Sequence, residues 1–238
     1  MEPGPLALVG SGEYLPEMLE IERELIAGRP PKYVQIPTAA SREGAARLNY
    51  WVELGAAQAQ RLEVQAVPLV VVDRDQADDP AIAAQIEGAG LIYLSGGSPA
   101  VLADTLRDTR LWSAIVEAWQ SGAALAGCSA GAMVMGDWVP DIRHPNSGGT
   151  TGLGLLPELR VLPHFDKMLG WVPDIVTRML LRAADGVTLV GVDELTALVG
   201  GPHVFTVKGK QSAWLLGKGR RQRLAPGETL ELAQRRPA

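Results

Sequence analysis

The sequence predicts an α/β domain with a mostly parallel sheet covered by helices on both faces. Three observations lead there. Short apolar runs alternate with amphipathic helical patterns along the first 135 residues. The clearest runs are apolar at every position rather than every second one, as strands buried on both faces require. Glycines punctuate the junctions, where strands of such alternating folds turn into helices.

Leu6–Val9 opens the pattern and stops at Gly10-Ser11-Gly12. A helix over residues 16–27 follows, with Leu15, Met18, Leu19, Leu25 and Ile26 on one face and Gly28 as its C-terminal stop. Lys32–Ile36 is the next strand, followed by an alanine-rich helix over residues 43–61. Residues 62–72 read as one strand with Pro68 as a potential break. A helix over residues 80–87 leads to the strand Leu91–Leu94. Beyond Gly96-Gly97, Ser98 suits a helix cap and Pro99 a first helical position. The next helix gathers Leu111, Trp112, Ile115, Val116 and Trp119 on one face, and residues 123–127 form a fully apolar strand.

After Gly136 the pattern changes. Residues 137–154, rich in Pro, Gly, Asp and Asn, read as a long loop or irregular hairpin. A helix over residues 174–184 carries Ile175, Val176, Met179, Leu180 and Ala183 on one side. Residues 188–190, 197–199, 204–207 and 212–216 read as short strands that finish the sheet antiparallel at one edge. Residues 234–238 are a polar tail. With neither repeat nor linker, residues 1–238 are expected to form a single domain.

Composition narrows the function. At 238 residues, 47% hydrophobic and 21% charged, the chain is ordinarily globular, which excludes disorder and collagen-like fibres. Twenty-two basic and 27 acidic residues give a net charge of −5, against the basic face that nucleic-acid binding needs. No stretch approaches the ~20 apolar residues that span a bilayer. The N-terminal residues carry no basic segment ahead of their short apolar run, so a cytoplasmic protein without a membrane partner is expected. The single cysteine, Cys128, cannot form an internal disulfide, and no Cys/His cluster has zinc spacing. Neither metal nor other cofactor is expected.

The strongest chemical signal is Gly127-Cys128-Ser129-Ala130-Gly131, a complete G-x-S-x-G between a buried strand and a small-residue helix over residues 130–135. A sharp turn there lifts a serine hydroxyl above the sheet, and flanking glycines let neighbouring chain pack close. The N-terminus of the following helix favours negative charge near Ser129. Cys128 should point away from Ser129 as a small buried hydrophobe.

A serine nucleophile needs a base, and the chain has three histidines. His144 lies in the irregular loop and His203 in a turn after Gly200-Gly201-Pro202. His164 ends the apolar run over residues 159–163, where the parallel sheet could present it beside the elbow; position favours it over His203. The base needs an acid, and Asp193 and Glu194 are best placed. They point opposite ways on an extended segment, so at most one serves. Backbone amides of Ala130 and Gly97 are the candidate oxyanion donors. Gly10-Ser11-Gly12 begins like a dinucleotide fingerprint, but Leu15 stands where the third glycine belongs.

With these residues placed, the chain resembles the peptidase S51 family, which contains aspartyl dipeptidase (peptidase E) and cyanophycinase. The resembling segments are Ser95-Gly96-Gly97, Gly127-Cys128-Ser129-Ala130-Gly131-Ala132, Gly152-Leu153-Gly154-Leu155-Leu156-Pro157, Pro163-His164-Phe165 and Gly191-Val192-Asp193-Glu194-Leu195-Thr196-Ala197-Leu198. They run in the family's order. The resemblance implies a flavodoxin-like, class I glutamine amidotransferase-like α/β/α sandwich with serine in place of that superfamily's cysteine. It implies a Ser129–His164–Glu194 triad with an oxyanion hole at Ala130 and Gly97. It also implies hydrolysis of small peptides on the carbonyl side of an aspartyl residue, which Arg178 would bind; Ser98 is a further substrate-binding candidate. Ser98-Pro99 after the glycine pair, and Asp166-Lys167-Met168 where cyanophycinases carry arginines, favour a dipeptidase-like or divergent member. The alternatives are a cyanophycinase-like exopeptidase on β-aspartyl-arginine units, an α/β-hydrolase-type esterase using Ser129, Asp193 and His203, and a non-catalytic small-ligand-binding member. A small peptide is the expected partner, and a homodimer is an open possibility.

Overall fold

The structure is a computed structural model that describes residues 2–141, 148–168, 186–217 and 220–232. Five strands, β1 (Leu6–Val9), β2 (Lys32–Ile36), β3 (Gln65–Pro68), β4 (Leu91–Leu94) and β5 (Ala124–Cys128), pair in parallel in the order β1-β5-β4-β2-β3. Between them run α1 (Leu19–Ile26), α2 (Ala45–Arg61), α3 (Arg74–Ala77), α4 (Pro80–Ala83), α5 (Pro99–Leu106) and α6 (Arg110–Gln120), and α7 (Ala130–Met133) follows β5.

Every position of β1, β4 and β5 is buried because both faces are covered. Leu6, Leu8, Ile92, Leu94 and Leu125 face one core with Leu102, Leu106, Leu111, Ile115 and Trp119 of α5 and α6. Ala7, Val9, Leu91, Tyr93 and Ala126 face the other, with Ile21, Leu25 and Ile26 of α1 and Ala59 of α2. This is the three-layer α/β/α sandwich the sequence predicts.

The C-terminal part departs from expectation. A small antiparallel hairpin of β6 (Trp138–Val139) and β7 (Thr150–Thr151) sits within the irregular segment. After it come β8 (Leu159–Leu162), α8 (Phe165–Met168), β9 (Thr188–Val192), β10 (Thr196–Gly200), β11 (Val204–Gly209), β12 (Ala213–Gly217), β13 (Arg220–Leu224) and β14 (Thr229–Glu231). Only β10, β11 and β14 extend the main sheet, antiparallel beyond β1. The others form a second sheet ordered β13-β12-β9-β8. The single antiparallel edge is therefore two structures, and β9 crosses to β10 through residues 193–195 alone. The second sheet needs no helix over its inner face: Leu159, Val161, Val190, Val192, Ala213 and Leu224 share the core beneath the main sheet.

Smaller differences have local causes. The strand expected over residues 62–72 shrinks to β3, since Leu62 still caps α2, Glu63 turns with φ 59°, and Pro68 has no N–H to extend the ladder. Leu15 is 41% exposed because the helix begins only after it, with a 3-10 turn at Pro16–Met18. The helix over residues 80–87 splits into α4 and a 3-10 turn at Ala84–Ile86, and the one over residues 130–135 is only α7. The helix expected over residues 174–184, with Arg178, and the tail over 234–238 lie outside the described residues, as does His144. Among the described residues no helix is long and apolar enough to cross a membrane.

Candidate active site

In the main sheet's register Val9 lies beside Cys128, and Leu94 beside Gly127. The loops that follow β1, β4 and β5 therefore emerge together at the carboxyl ends of the strands, where open α/β sheets bind their ligands. Ser129 stands between β5 and α7 with φ 50° and ψ −107°, a left-handed conformation costly for a residue with a side chain. Its amide donates to the Val9 carbonyl at 2.9 Å, and its carbonyl accepts from Ala132 and Met133. Glycine is required on both sides. A Cβ on Gly127 would come within 2.4 Å of the Gly131 backbone, and one on Gly131 within 2.2 Å of the Leu94 carbonyl oxygen. At four residues α7 carries little macrodipole, so local amides rather than the helix would meet negative charge here.

The second sheet supplies the partner side chains. His164 follows β8, which pairs with β9 and not with the parallel main sheet, so its route to the elbow differs from the one expected. Its Nε2 lies 3.1 Å from Ser129 Oγ, and its Nδ1 lies 3.2 Å from Glu194 Oε1. With Nδ1–H donated to the carboxylate, Nε2 is left as an acceptor for the serine proton. His164 (φ 51°) and Leu195 (φ 54°) are left-handed as well, so strain clusters around the three side chains.

Glu194 sits in the short crossing from β9 to β10. Its amide donates to Asp166 Oδ1 at 2.9 Å, and its carbonyl accepts from Gln211 Nε2 at 3.0 Å. The Leu195 amide donates to the Ser11 carbonyl, and the Gly10 amide to that of Thr196. The Gly10-Ser11-Gly12 loop is thus a brace for the crossing, not a nucleotide cradle. Lys167, mostly exposed, lies 3.7 Å from Glu194 Oε2, a pairing worth little in water.

Asp193 points to the second sheet, although Glu194 and Leu195 form a turn and not the extended segment expected. Its carboxylate accepts from Trp214 Nε1 at 3.0 Å and from the Ser212 amide at 3.2 Å, and burial pushes its pKa up. It braces the second sheet. His203 is exposed and lies at the far end of the main sheet: β10 pairs Ala197 with Val9 but Gly200 with Leu6, and His203 follows Gly200. The esterase alternative, which needs Asp193 and His203 beside Ser129, has neither.

The turn after β4 completes the site. Gly97 is exposed with φ 138°, and a Cβ there would strike the Ala39 carbonyl. Among the described residues neither the Gly97 nor the Ala130 amide has a backbone acceptor. Ser98 caps α5, its Oγ accepting from Val101, and its amide donates to the Ala39 carbonyl. Cys128 is buried, as expected, but it is more than a hydrophobe: its thiol donates to Glu13 Oε2 at 2.8 Å. Glu13 and Gln211 carry no motif, and Asp166 stands out in the sequence only as a departure from the cyanophycinase arginines, not as a brace for Glu194.

A family model for peptidase family S51 matches residues 6–205. The chain belongs to peptidase family S51. A crystal structure of a peptidase from an acI-B1 actinobacterium superposes with a TM-score of 0.88 at 45% identity, covering 96% of this chain and 97% of that one. The cyanophycinase of Trichormus variabilis (strain ATCC 29413 / PCC 7937) is 33% identical over 153 residues, 58% of this chain and 48% of the relative. That of Geminocystis herdmanii (strain PCC 6308) is 31% identical over 157 residues, 58% of this chain and 53% of the relative. The chain spans about half the length of these curated relatives. A candidate peptidase E protein from Listeria monocytogenes EGD-e shares the fold, with a TM-score of 0.62 at 18% identity over 88% of this chain and all of that one.

Proposed function

We propose that this S51 member is a serine-type peptidase that hydrolyses small peptides on the carbonyl side of an aspartyl residue. The observation that carries the reading is the Ser129–His164–Glu194 relay, with separations of 3.1 and 3.2 Å, on a strained strand-to-helix turn. Ser129 Oγ attacks the peptide carbonyl while His164 Nε2 takes its proton. Glu194 holds the ring's tautomer and stabilises the imidazolium. The Gly97 and Ala130 amides donate to the oxyanion. His164 then passes its proton to the leaving amine, and water repeats the sequence on the acyl-enzyme. Arg178 would pair in bidentate fashion with the substrate's aspartyl carboxylate, and Ser98 would be a further substrate contact.

The likeness to cyanophycinases favours a second reading, an exopeptidase acting on β-aspartyl-arginine units. The two separate in one assay. Wild type and S129A are incubated with a set of aspartyl-Xaa dipeptides and with β-aspartyl-arginine. Cleavage of the dipeptides by wild type alone supports the first reading, and cleavage only of β-aspartyl-arginine the second. Turnover undiminished in S129A would remove both.

A further inference from the structure

One buried acid has no part in the chemistry above. Glu13, in the loop after β1, is 7% exposed and spreads its carboxylate over two turns. Oε1 accepts from the Gly96 amide at 2.9 Å, and Oε2 from the Cys128 thiol at 2.8 Å. Gly96 immediately precedes Gly97, and Cys128 immediately precedes Ser129. A Cβ on Gly96 would lie 2.6 Å from Glu13 Oε1 and 3.5 Å from Ser129 Cβ, so carboxylate, glycine turn and serine converge on one point. Tyr14 supports the same turn, its hydroxyl 2.6 Å from Ser95 Oγ. Burial, then the Glu13 charge, push the Cys128 pKa well up, which keeps the thiol protonated and donating. No salt bridge reaches Glu13 among the described residues. A buried carboxylate without a cation is costly to keep, and among the described residues it is held by these two donors.

We propose that Glu13 is a positioning residue: it ties the turn over residues 95–98 to the end of the nucleophile strand and so sets where the Gly97 amide stands relative to Ser129. The proposal rests on the serine-peptidase reading. Oxyanion donors act only when aimed at the charge as it develops, so loosening this turn slows bond formation while leaving the nucleophile and its base in place.

The test is labelling by a fluorophosphonate, which needs no knowledge of the natural substrate. Ser129 Oγ bonds to phosphorus, fluoride leaves, and His164 takes the serine proton. Glu13→Ala is expected to label about 30-fold more slowly or worse, yet reach full stoichiometry at long times, since losing a single oxyanion donor costs about a hundredfold or more. Glu13→Gln keeps an oxygen for the Gly96 amide and is expected to label at least tenfold faster than Glu13→Ala. Three results would overturn the proposal: Glu13→Ala labelling at the wild-type rate; stoichiometry falling with the folded fraction while surviving sites react normally; or Glu13→Gln as slow as Glu13→Ala. If Glu13→Ala does not fold, Glu13→Asp replaces it, its carboxylate withdrawn by one methylene from both donors. An equally slow rate then supports the proposal, and a wild-type rate overturns it. Wild type that fails to label at all overturns the peptidase reading itself, a failure seen before any variant is made.

Discussion

Ser129 belongs to the main sheet and is held by shape: a left-handed backbone, two glycines that admit no side chain, and strands buried on both faces. His164 and Glu194 belong to the second sheet and are held by polar contacts, through Asp166, Gln211 and the Ser11 carbonyl, with the imidazole 43% exposed. The difference separates two kinds of vulnerability. Steric fixation fails all at once when a methyl group is added, whereas a hydrogen-bonded brace weakens by degrees and responds to solvent.

The contrast is broken most directly at Ser129, the proposed nucleophile. Ser129→Ala should lower kcat by about four orders of magnitude or more while the melting temperature holds. Persisting turnover would detach the elbow from the chemistry. Next in size, His164→Ala should cost about a thousandfold or more, and His203→Ala nothing, in parallel assays; equal losses would mean that the second sheet's contribution has been misread. Asp166→Ala is expected to have a graded effect, about a tenfold fall in kcat with KM little changed, because the Glu194 amide loses its acceptor but Gln211 still holds the carbonyl. A loss as large as that of His164→Ala would show the brace to be as unforgiving as the elbow.

The smallest effect sharpens the comparison from the dry side. Glu22 is buried under the main sheet, where desolvation raises its pKa from 4.5 to about 7 despite the hydrogen bond from Tyr33. An unfolded chain releases this proton near pH 4.5, while the folded one keeps it until about pH 7. The stability due to this group is therefore fully present below pH 4.5 and is lost as pH rises through 7. Glu22→Gln should flatten the fall in melting temperature between pH 5 and 8 without altering turnover. An unchanged slope would mean that water reaches the site.

Much of this was legible in the sequence for a physical reason: strands covered on both faces must be apolar throughout, so the parallel sheet and the glycine-flanked turn at Ser129 announce themselves locally. The second sheet did not. Residues 188–190 and 212–216 read correctly as strands, but nothing in a short apolar run says which neighbour it will pair with. Position at the end of an apolar run singled out His164, although the argument that brought it to the elbow used the wrong sheet. Of the adjacent pair, alternation said that Asp193 and Glu194 part company, not which would turn toward the imidazole. Glu13, Asp166 and Gln211 act through contacts across 17 to 115 positions of chain and leave no local trace.

Tyr14, Ser129, His164 and Leu195, in the loops that carry the candidate site or its braces, all hold left-handed backbones. Glycine at any of them would ease the chain locally, yet two of the four must keep the very side chains on which the proposed reaction depends. Selection for heat resistance would therefore find its gains at the opposite end of the strands or on the outer helices, and a hardier descendant of this protein should still carry Ser129 and His164 unrelaxed.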